Sequence, residues 1–341
     1  MPIRYLGYAC KNTILDKKNI RMRTVRKSTF ESGGDDIISE KILHNLKALY
    51  SKLEWNLEND IYAFRIGSEL FPWLGNYDVT KFDRYRDIEY ECGFIGEYAR
   101  ENNIRLSFHP GPFNVLCSPN PKVVEKTTKE LEAHSEIFDL MGYEPSFNTK
   151  INIHVGGVYG NKEAALEEWM RNYYQLSDSL RKRLVIENDD KQSMYSVQDL
   201  IGLHELCNGE LPITFDYFHH SLHPDGLSEK DALELCVNTW PSDVVAMTHY
   251  SESRRTEKMT LITDILENNG IPLDEIKSWP KFNAYYEAAE FIKENAHSDF
   301  CLSLPKTYGN TVDVMLEAKA KEQALLGLRN PNILQELITN F

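Results

Sequence analysis

Eight times along the chain, a short apolar run rich in β-branched residues is followed by a segment with helical spacing. The runs are IRYLGYA (3–9), IYAFRIG (61–67), IRLSFHPG (104–111), KINIHVGG (150–157), RLVIEND (183–189), PITFDYF (212–218), VVAMTHY (244–250) and VDVMLEA (312–318). Runs of this length read as strands, and the segments 35–56, 81–103, 121–142, 161–180, 195–208, 228–239, 282–295 and 320–328 read as helices. Strand then helix, repeated eight times, predicts an α/β chain folded as a single (β/α)8 barrel of the TIM type over 1–341. An open doubly wound sheet is the competing architecture. No GxGxxG turn follows the first strand, and GGVYG at 156–160 lacks the GK[ST] of a phosphate loop, so no nucleotide cofactor is expected. One segment, around 252–296, is expected to be a helical insertion before the last strand.

In such a barrel the C-terminal strand ends converge on one rim, where active sites are built. At those ends stand Tyr8, Glu69, His109, His154, Glu187, Asp216 with His219, His249 and Glu317. A strand-end histidine taken alone is an ordinary hydrogen-bonding residue. Carboxylates that close apolar strands, such as Glu187 and Glu317, need a charged partner or a metal. Taken together, the set predicts a multinuclear metal cluster on the rim. Mixed His and carboxylate donors without cysteine suit divalent Zn²⁺ or Mn²⁺ rather than a structural zinc. His44, His134 and His204 fall in helical segments and take no role. His220 and His223 are left as supporting or surface residues.

Composition narrows the function classes. With 42% hydrophobic and 26% charged residues the chain is of ordinary globular type. Neither a signal-peptide core nor an apolar run of about 18 residues is present, which predicts an intracellular protein without a membrane partner. Six scattered cysteines with no CxxC pair predict reduced thiols. A net charge of −14 disfavours nonspecific coating of nucleic acid. Cations are concentrated, however, at 11–30, where Lys11, Lys17, Lys18, Arg21, Arg23, Arg26 and Lys27 face Asp16 alone, and again in SRRTEK at 253–258. Each patch is open to two readings, a solvated loop or a phosphate-contacting one.

The motifs LGYACKN (6–12), FRIGSELFPW (64–73), LSFHPG (106–111), NIHVGGVYGNK (152–162), VIENDD (185–190), FDYFHHSLHP (215–224), THYSES (248–253), AHSDF (296–300) and DVMLEAKAKEQAL (313–325) occur in order. Together they resemble the UV damage endonuclease family, itself similar to the endonuclease-four type of AP endonuclease. The resemblance implies a metal-dependent DNA repair enzyme that nicks damaged double-stranded DNA immediately 5′ of cyclobutane dimers, 6-4 photoproducts or abasic sites. Hydrolysis by a metal-activated water would leave a 3′-hydroxyl and a 5′-phosphate. It further implies two to three ions. Glu187, Asp216, His249 and Glu317 would hold the first, His109 and His154 the second with Glu187 bridging, and His219 with His297 the third. Glu69 is a further ligand candidate. Glu187, Glu317 and Lys319 would be catalytic, with a Lys319–Glu322 ion pair as the plain alternative for the lysine. Tyr8, Asn12, Phe113, Tyr159 and Lys162 would contact DNA or the lesion, and a monomer is expected. Two departures stand out: HPGPF carries Pro112 where the family has glutamine, and Met247 stands where some members have a metal-site lysine. Rival readings are a metal-dependent sugar isomerase or epimerase and a non-catalytic damage-binding protein.

Overall fold

The computed structural model describes residues 2–330. Within it the strands are β1 (Ile3–Ala9), β2 (Ala63–Ile66), β3 (Arg105–Phe108), β4 (Ile151–His154), β5 (Leu184–Glu187), β6 (Ile213–Thr214), β7 (Ala246–Tyr250) and β8 (Val312–Leu316). All pair in parallel, in the order β6–β5–β4–β3–β2–β1–β8–β7. Between β6 and β7 no ladder forms. The ring is drawn together there by one parallel bridge between Asp216 and His249, in which the His249 N–H donates to the Phe215 carbonyl at 2.9 Å. This is the TIM barrel that the alternation predicts.

The helices are α1 (Thr13–Lys17), α2 (Lys27–Glu58), α3 (Tyr85–Glu101), α4 (Pro121–Leu140), α5 (Lys162–Tyr173), α6 (Asp178–Arg181), α7 (Val197–Leu206), α8 (Tyr217–Leu222), α9 (Glu229–Asn238), α10 (Arg254–Asn268), α11 (Pro280–Glu290) and α12 (Glu322–Arg329). Side-chain caps fix many of their starts: Asn120 caps α4 ahead of a proline in the first turn, and Ser196 with Asp199 forms a capping box on α7. Two helices depart from expectation. The first begins at Lys27 rather than 35, broken at Gly34, whose φ of +63° with ψ of −172° is tolerated by glycine alone. The 161–180 segment splits at Ser177, which caps the short α6. Between β7 and β8, Ile262 and Leu266 of α10 form a small cluster with Ile276 from the turn before α11, separate from the main core, and Phe282 and Tyr286 of α11 pack on it.

The main core lies between strands and helices, where Phe64, Phe108, Phe138, Trp169 and Ile186 are buried. The barrel interior is polar instead. At its floor Asp313 takes Arg4 at 2.6 Å and the buried Arg105 at 2.7 Å, and Arg105 also donates to the Val245, Phe147 and Asn148 carbonyls. Above it the fully buried Lys150 reaches Asn152 Oδ1 at 3.2 Å, Thr214 Oγ1 at 2.8 Å and His249 Nε2 at 3.1 Å. A polar shaft thus runs from floor to rim, a departure from the apolar filling usual in this fold.

Candidate metal centre

Parallel register brings the strand ends to one level, with His154 beside Glu187 across β4 and β5, and β8 running on past His249 to Glu317. Glu187 is wholly buried and sits at the centre. Its Oε2 lies 3.0 Å from His109 Nε2 and 3.8 Å from His154 Nε2. Its Oε1 lies 2.8 Å from His249 Nδ1 and 3.9 Å from His219 Nδ1. His249 Nδ1 is also 3.3 Å from Glu317 Oε1. Two sets of donors follow: His109, Glu187, His249 and Glu317 in one, His154, Glu187 and His219 in the other, with ligand atoms in each within 4.8 Å of one another.

One ring nitrogen of most of these histidines faces an acceptor. His109 Nδ1 faces the Pro110 carbonyl at 3.1 Å, His219 Nδ1 the Asn188 carbonyl at 2.9 Å, and His154 Nδ1 lies 3.3 Å from Asp189 Oδ1. A carbonyl or carboxylate only accepts, so with a cation bound the proton of His109 and His154 would stay on Nδ1 and Nε2 would be left for the metal, the usual support of a metal-bound imidazole. His249 is turned round: Lys150 stands behind its Nε2 and Nδ1 faces the carboxylates. An amine can give or take that proton and so serves either tautomer. The carboxylates are oriented too, Glu187 by a hydrogen bond from Asn152 Nδ2 and Glu317 by one from Arg65.

Charge in the cluster is strongly perturbed. Burial alone would raise the Glu187 carboxyl, but the imidazoles of His249 and His154 and hydrogen bonds from His109 and His249 hold it well below the usual range. Glu317 is likewise held low against burial, by Arg65 and His249. Asp216, by contrast, is pushed up to about 8 by burial. Against burial, Glu187 and Asp189 lift His154 to about 10, and Asp216 and Glu187 lift His219 to about 9. Burial lowers His249 to about 3 and Lys150 well below its ordinary value. The cluster therefore gathers protons where cations would sit. Asp216 Oδ2 and His297 Nδ1 are buried without a hydrogen-bond partner. Orphaned donor atoms on a nitrogen-and-oxygen set fit divalent ions.

The remaining residues fall out as follows. Asp216 is fully buried, caps α8 through His219 N at 2.8 Å, and turns Oδ2 toward His219 Nδ1 at 4.0 Å. His297 stacks edge-on to His219 with centroids 5.8 Å apart. Glu69 joins neither donor set; its carboxylate folds back over Gly67, and its field acts on Lys52. Lys319 is exposed on the rim, its backbone N–H tied to Ser298. Glu322 is not its partner, because both carboxylate oxygens take the N–H groups of Thr13 and Ile14 and the Thr13 hydroxyl. Tyr8 and Asn12 need correction as lesion contacts. Both are fully buried, Asn12 donating to the Tyr8 hydroxyl at 2.9 Å, the hydroxyl donating to Asn56 at 2.7 Å, and Asn12 capping α1. Phe113 is 87% exposed and Tyr159 51% exposed, free to meet a ligand. Lys162 is paired to Asp199 at 2.7 Å. Sequence reading missed Arg65, Lys150, Asn152 and Asp189. The alternation Lys150–Asn152–His154 in one strand was the available signal, since alternate residues share a face.

Residues 4–339 match the family model described as UV-endonuclease UvdE. A UV DNA damage endonuclease of Clostridium perfringens is 31% identical over 320 residues, 93% of this chain and 68% of its own length. The UV-damage endonuclease of Schizosaccharomyces pombe is 32% identical over 336 residues, 95% of this chain but 50% of its own, so the chain spans about half of that relative. The crystal structure of SacUVDE superposes with a TM-score of 0.73 at 30% identity, covering 98% of both chains. A xylose isomerase domain protein from Planctomyces limnophilus, 12% identical with a TM-score of 0.50 over 85% of this chain and 93% of its own, shares the fold.

Proposed function

Since this chain belongs to the UV-endonuclease UvdE family, we propose that it is a metal-dependent DNA repair endonuclease acting on damaged duplex. It would cut the phosphodiester immediately 5′ of cyclobutane dimers, 6-4 photoproducts and abasic sites, leaving a 3′-hydroxyl and a 5′-phosphate. The observation that carries this reading is the sharing of Glu187 between two donor sets on one rim. Divalent ions held there would supply Lewis acidity and an activated water for phosphoryl displacement. His109, Glu187, His249 and Glu317 would hold one ion and His154, Glu187 and His219 another. Asp216 Oδ2 and His297, both turned toward His219, offer donors for a third. Zn²⁺ and Mn²⁺ both suit these donors.

The chain's own residues do the positioning. Asn152 and Arg65 fix the carboxylates of Glu187 and Glu317, and Lys150 holds His249 from behind. Lys319 stands exposed where a phosphate charge would arrive. Phe113 is the wedge that fills the gap left by a nucleotide turned out of the stack. Pro112 offers no side-chain hydrogen bond beside it, which favours abasic sites as further substrates. The enzyme is taken to work as a monomer on DNA inside the cell; no described helix is long and apolar enough to cross a membrane.

The test is nicking of a duplex with one defined photoproduct by metal-loaded protein. Cleavage at the 5′ side, abolished by chelator and by Glu187→Gln, is the expected result. Intact duplex alongside turnover of a free ketose would overturn the reading in favour of a sugar epimerase. Binding without a nick would leave only a damage sensor.

A further inference from the structure

The two cationic patches look alike in sequence and differ in structure. In the 253–258 patch Arg254 and Lys258 face Asp299 at 3.2 and 3.0 Å, and Arg255 faces Glu294 at 3.7 Å, so that charge is spent within the fold. In the 11–30 patch all seven cations are exposed. Among the described residues only Lys27 has a carboxylate in reach, Glu31 at 3.6 Å.

The backbone beneath these exposed cations is nevertheless fastened. Arg23 N–H donates to Asn45 Oδ1 at 2.7 Å, and its carbonyl accepts from Asn45 Nδ2 at 2.9 Å. His44 Nε2 bonds the Arg21 carbonyl at 3.1 Å, and Trp73 Nε1 donates to the Val25 carbonyl at 2.9 Å. Val25 is buried and Met22 packs against the core. Asn45 is itself fully buried and also donates to the Glu69 carbonyl at 2.7 Å, which ties this segment to the loop after β2. It therefore lies at the metal end of the barrel. A loop that merely solvates its charges gains nothing from such fastening, since ordering each backbone residue costs about 1–2 kcal/mol of conformational entropy. A surface that must present charges in fixed positions does gain.

We propose that the segment from Lys17 to Arg26 is a preformed strip that grips the phosphate backbone of duplex DNA flanking the damaged site, without reading sequence. Residues 20–26 carry no helix or strand, and Arg21 and Arg23 point outward on either side of the inward Met22. In an extended chain such alternate side chains stand about 7 Å apart and can serve separate phosphates. Phosphate contacts fix the register of a protein on DNA and carry most of its salt-dependent affinity. On a chain of net charge −14 a local cationic strip is what allows the approach. The proposal rests on the DNA-cleaving reading of the metal centre but makes a separate demand.

The experiment measures binding of labelled, undamaged duplex across a salt series. It compares the wild-type chain, a Lys17→Gln/Lys18→Gln/Arg21→Gln/Arg23→Gln variant, and a control in which Lys126, Lys129, Arg171 and Lys182 become glutamine. Each lost phosphate contact lowers the slope of log affinity against log salt by about 0.9, so the strip variant should lose about 3 to 4 and the control almost nothing. Single Arg21→Gln and Arg23→Gln variants, each expected to lose about 1, serve if the quadruple variant folds poorly. An unchanged slope in the strip variants, or an equal loss in the control, overturns the proposal. Failure of the wild-type chain to nick a photoproduct duplex would instead sink the endonuclease reading, and the slopes would still decide the strip.

Discussion

Asn152→Ala separates support of the metal centre from support of the fold. Asn152 is fully buried, donates to Glu187 Oε2 and accepts from Lys150 Nζ at 3.2 Å. Truncation leaves a buried carboxylate short of one donor and a buried amine short of one acceptor. A hydrogen bond to a charged group contributes about 1.5–3 kcal/mol, and the metal-free chain should lose about that much stability. Loss of a supporting partner behind a ligand weakens metal affinity roughly 10- to 100-fold, which corresponds to about 1.4–2.7 kcal/mol. At a fixed free metal concentration well above the dissociation constant, that same amount should vanish from the extra stability that metal confers. Urea unfolding of wild type and variant, each in chelator and in metal, reads both numbers. If the metal-free chain is destabilised while the metal increment stays at its wild-type value, Asn152 only packs the shaft and the argument for carboxylate positioning fails.

Further outcomes follow from the same geometry. In chelator, stability should fall as pH climbs from about 6.5 to about 10, the losses from His154, His219 and Asp216 outweighing the opposite contribution of the depressed Lys150. His154 and His219, raised to about 10 and about 9, contribute stability present below about 6.5 and lost as pH passes those values. Asp216, raised to about 8, acts with the same sign, and the depressed Glu187 and Glu317 matter only in acid; denaturant titrations at several pH values test this, and a curve rising with pH refutes it. Metal uptake near pH 7 should release protons from these three groups, measurable with an indicator in weak buffer. Phe113→Ala should leave stability within about 0.5 kcal/mol, because the ring is solvent-exposed. Its affinity for damaged duplex should drop by about 1–3 kcal/mol in a binding titration, if the ring stacks on bases. Asp313→Ala at the barrel floor should cost about 3–5 kcal/mol, leaving buried Arg105 unpaired, with metal stoichiometry intact by elemental analysis.

Much of the fold was legible because it rests on periodicity. Each apolar run overlaps its strand, although only two residues of 212–218 form β6, and the helical segments overlap helices apart from the early start of α2 and the break within 161–180. The gathering of His109, His154, Glu187, His219, His249 and Glu317 was legible from the strand ends alone. Which ring faces which carboxylate depends on barrel tilt and side-chain rotamers, which periodicity does not record: His109 and His154 both face Glu187 Oε2, while His249 Nδ1 faces Glu187 Oε1 and Glu317 Oε1. The resemblance that made Tyr8 and Asn12 lesion contacts does not reveal exposure; both are buried here, and Asn12 is drawn inward to cap α1. Arg65, Lys150 and Asn152 escaped because a polar residue within a strand reads as surface unless the inside of the barrel is known to be polar. Asn45 carries no sequence signal at all, being one asparagine in a long helix.

The seam between β6 and β7 has a consequence for how such a chain can change. Its single bridge is made by Asp216 and His249, both among the candidate ligands. That bridge is made by main-chain groups, the His249 N–H and the Phe215 carbonyl, so replacing either ligand side chain would leave the hoop of strands closed. Shape and chemistry are thereby separable at this seam: a descendant could lose the ligands and keep the barrel.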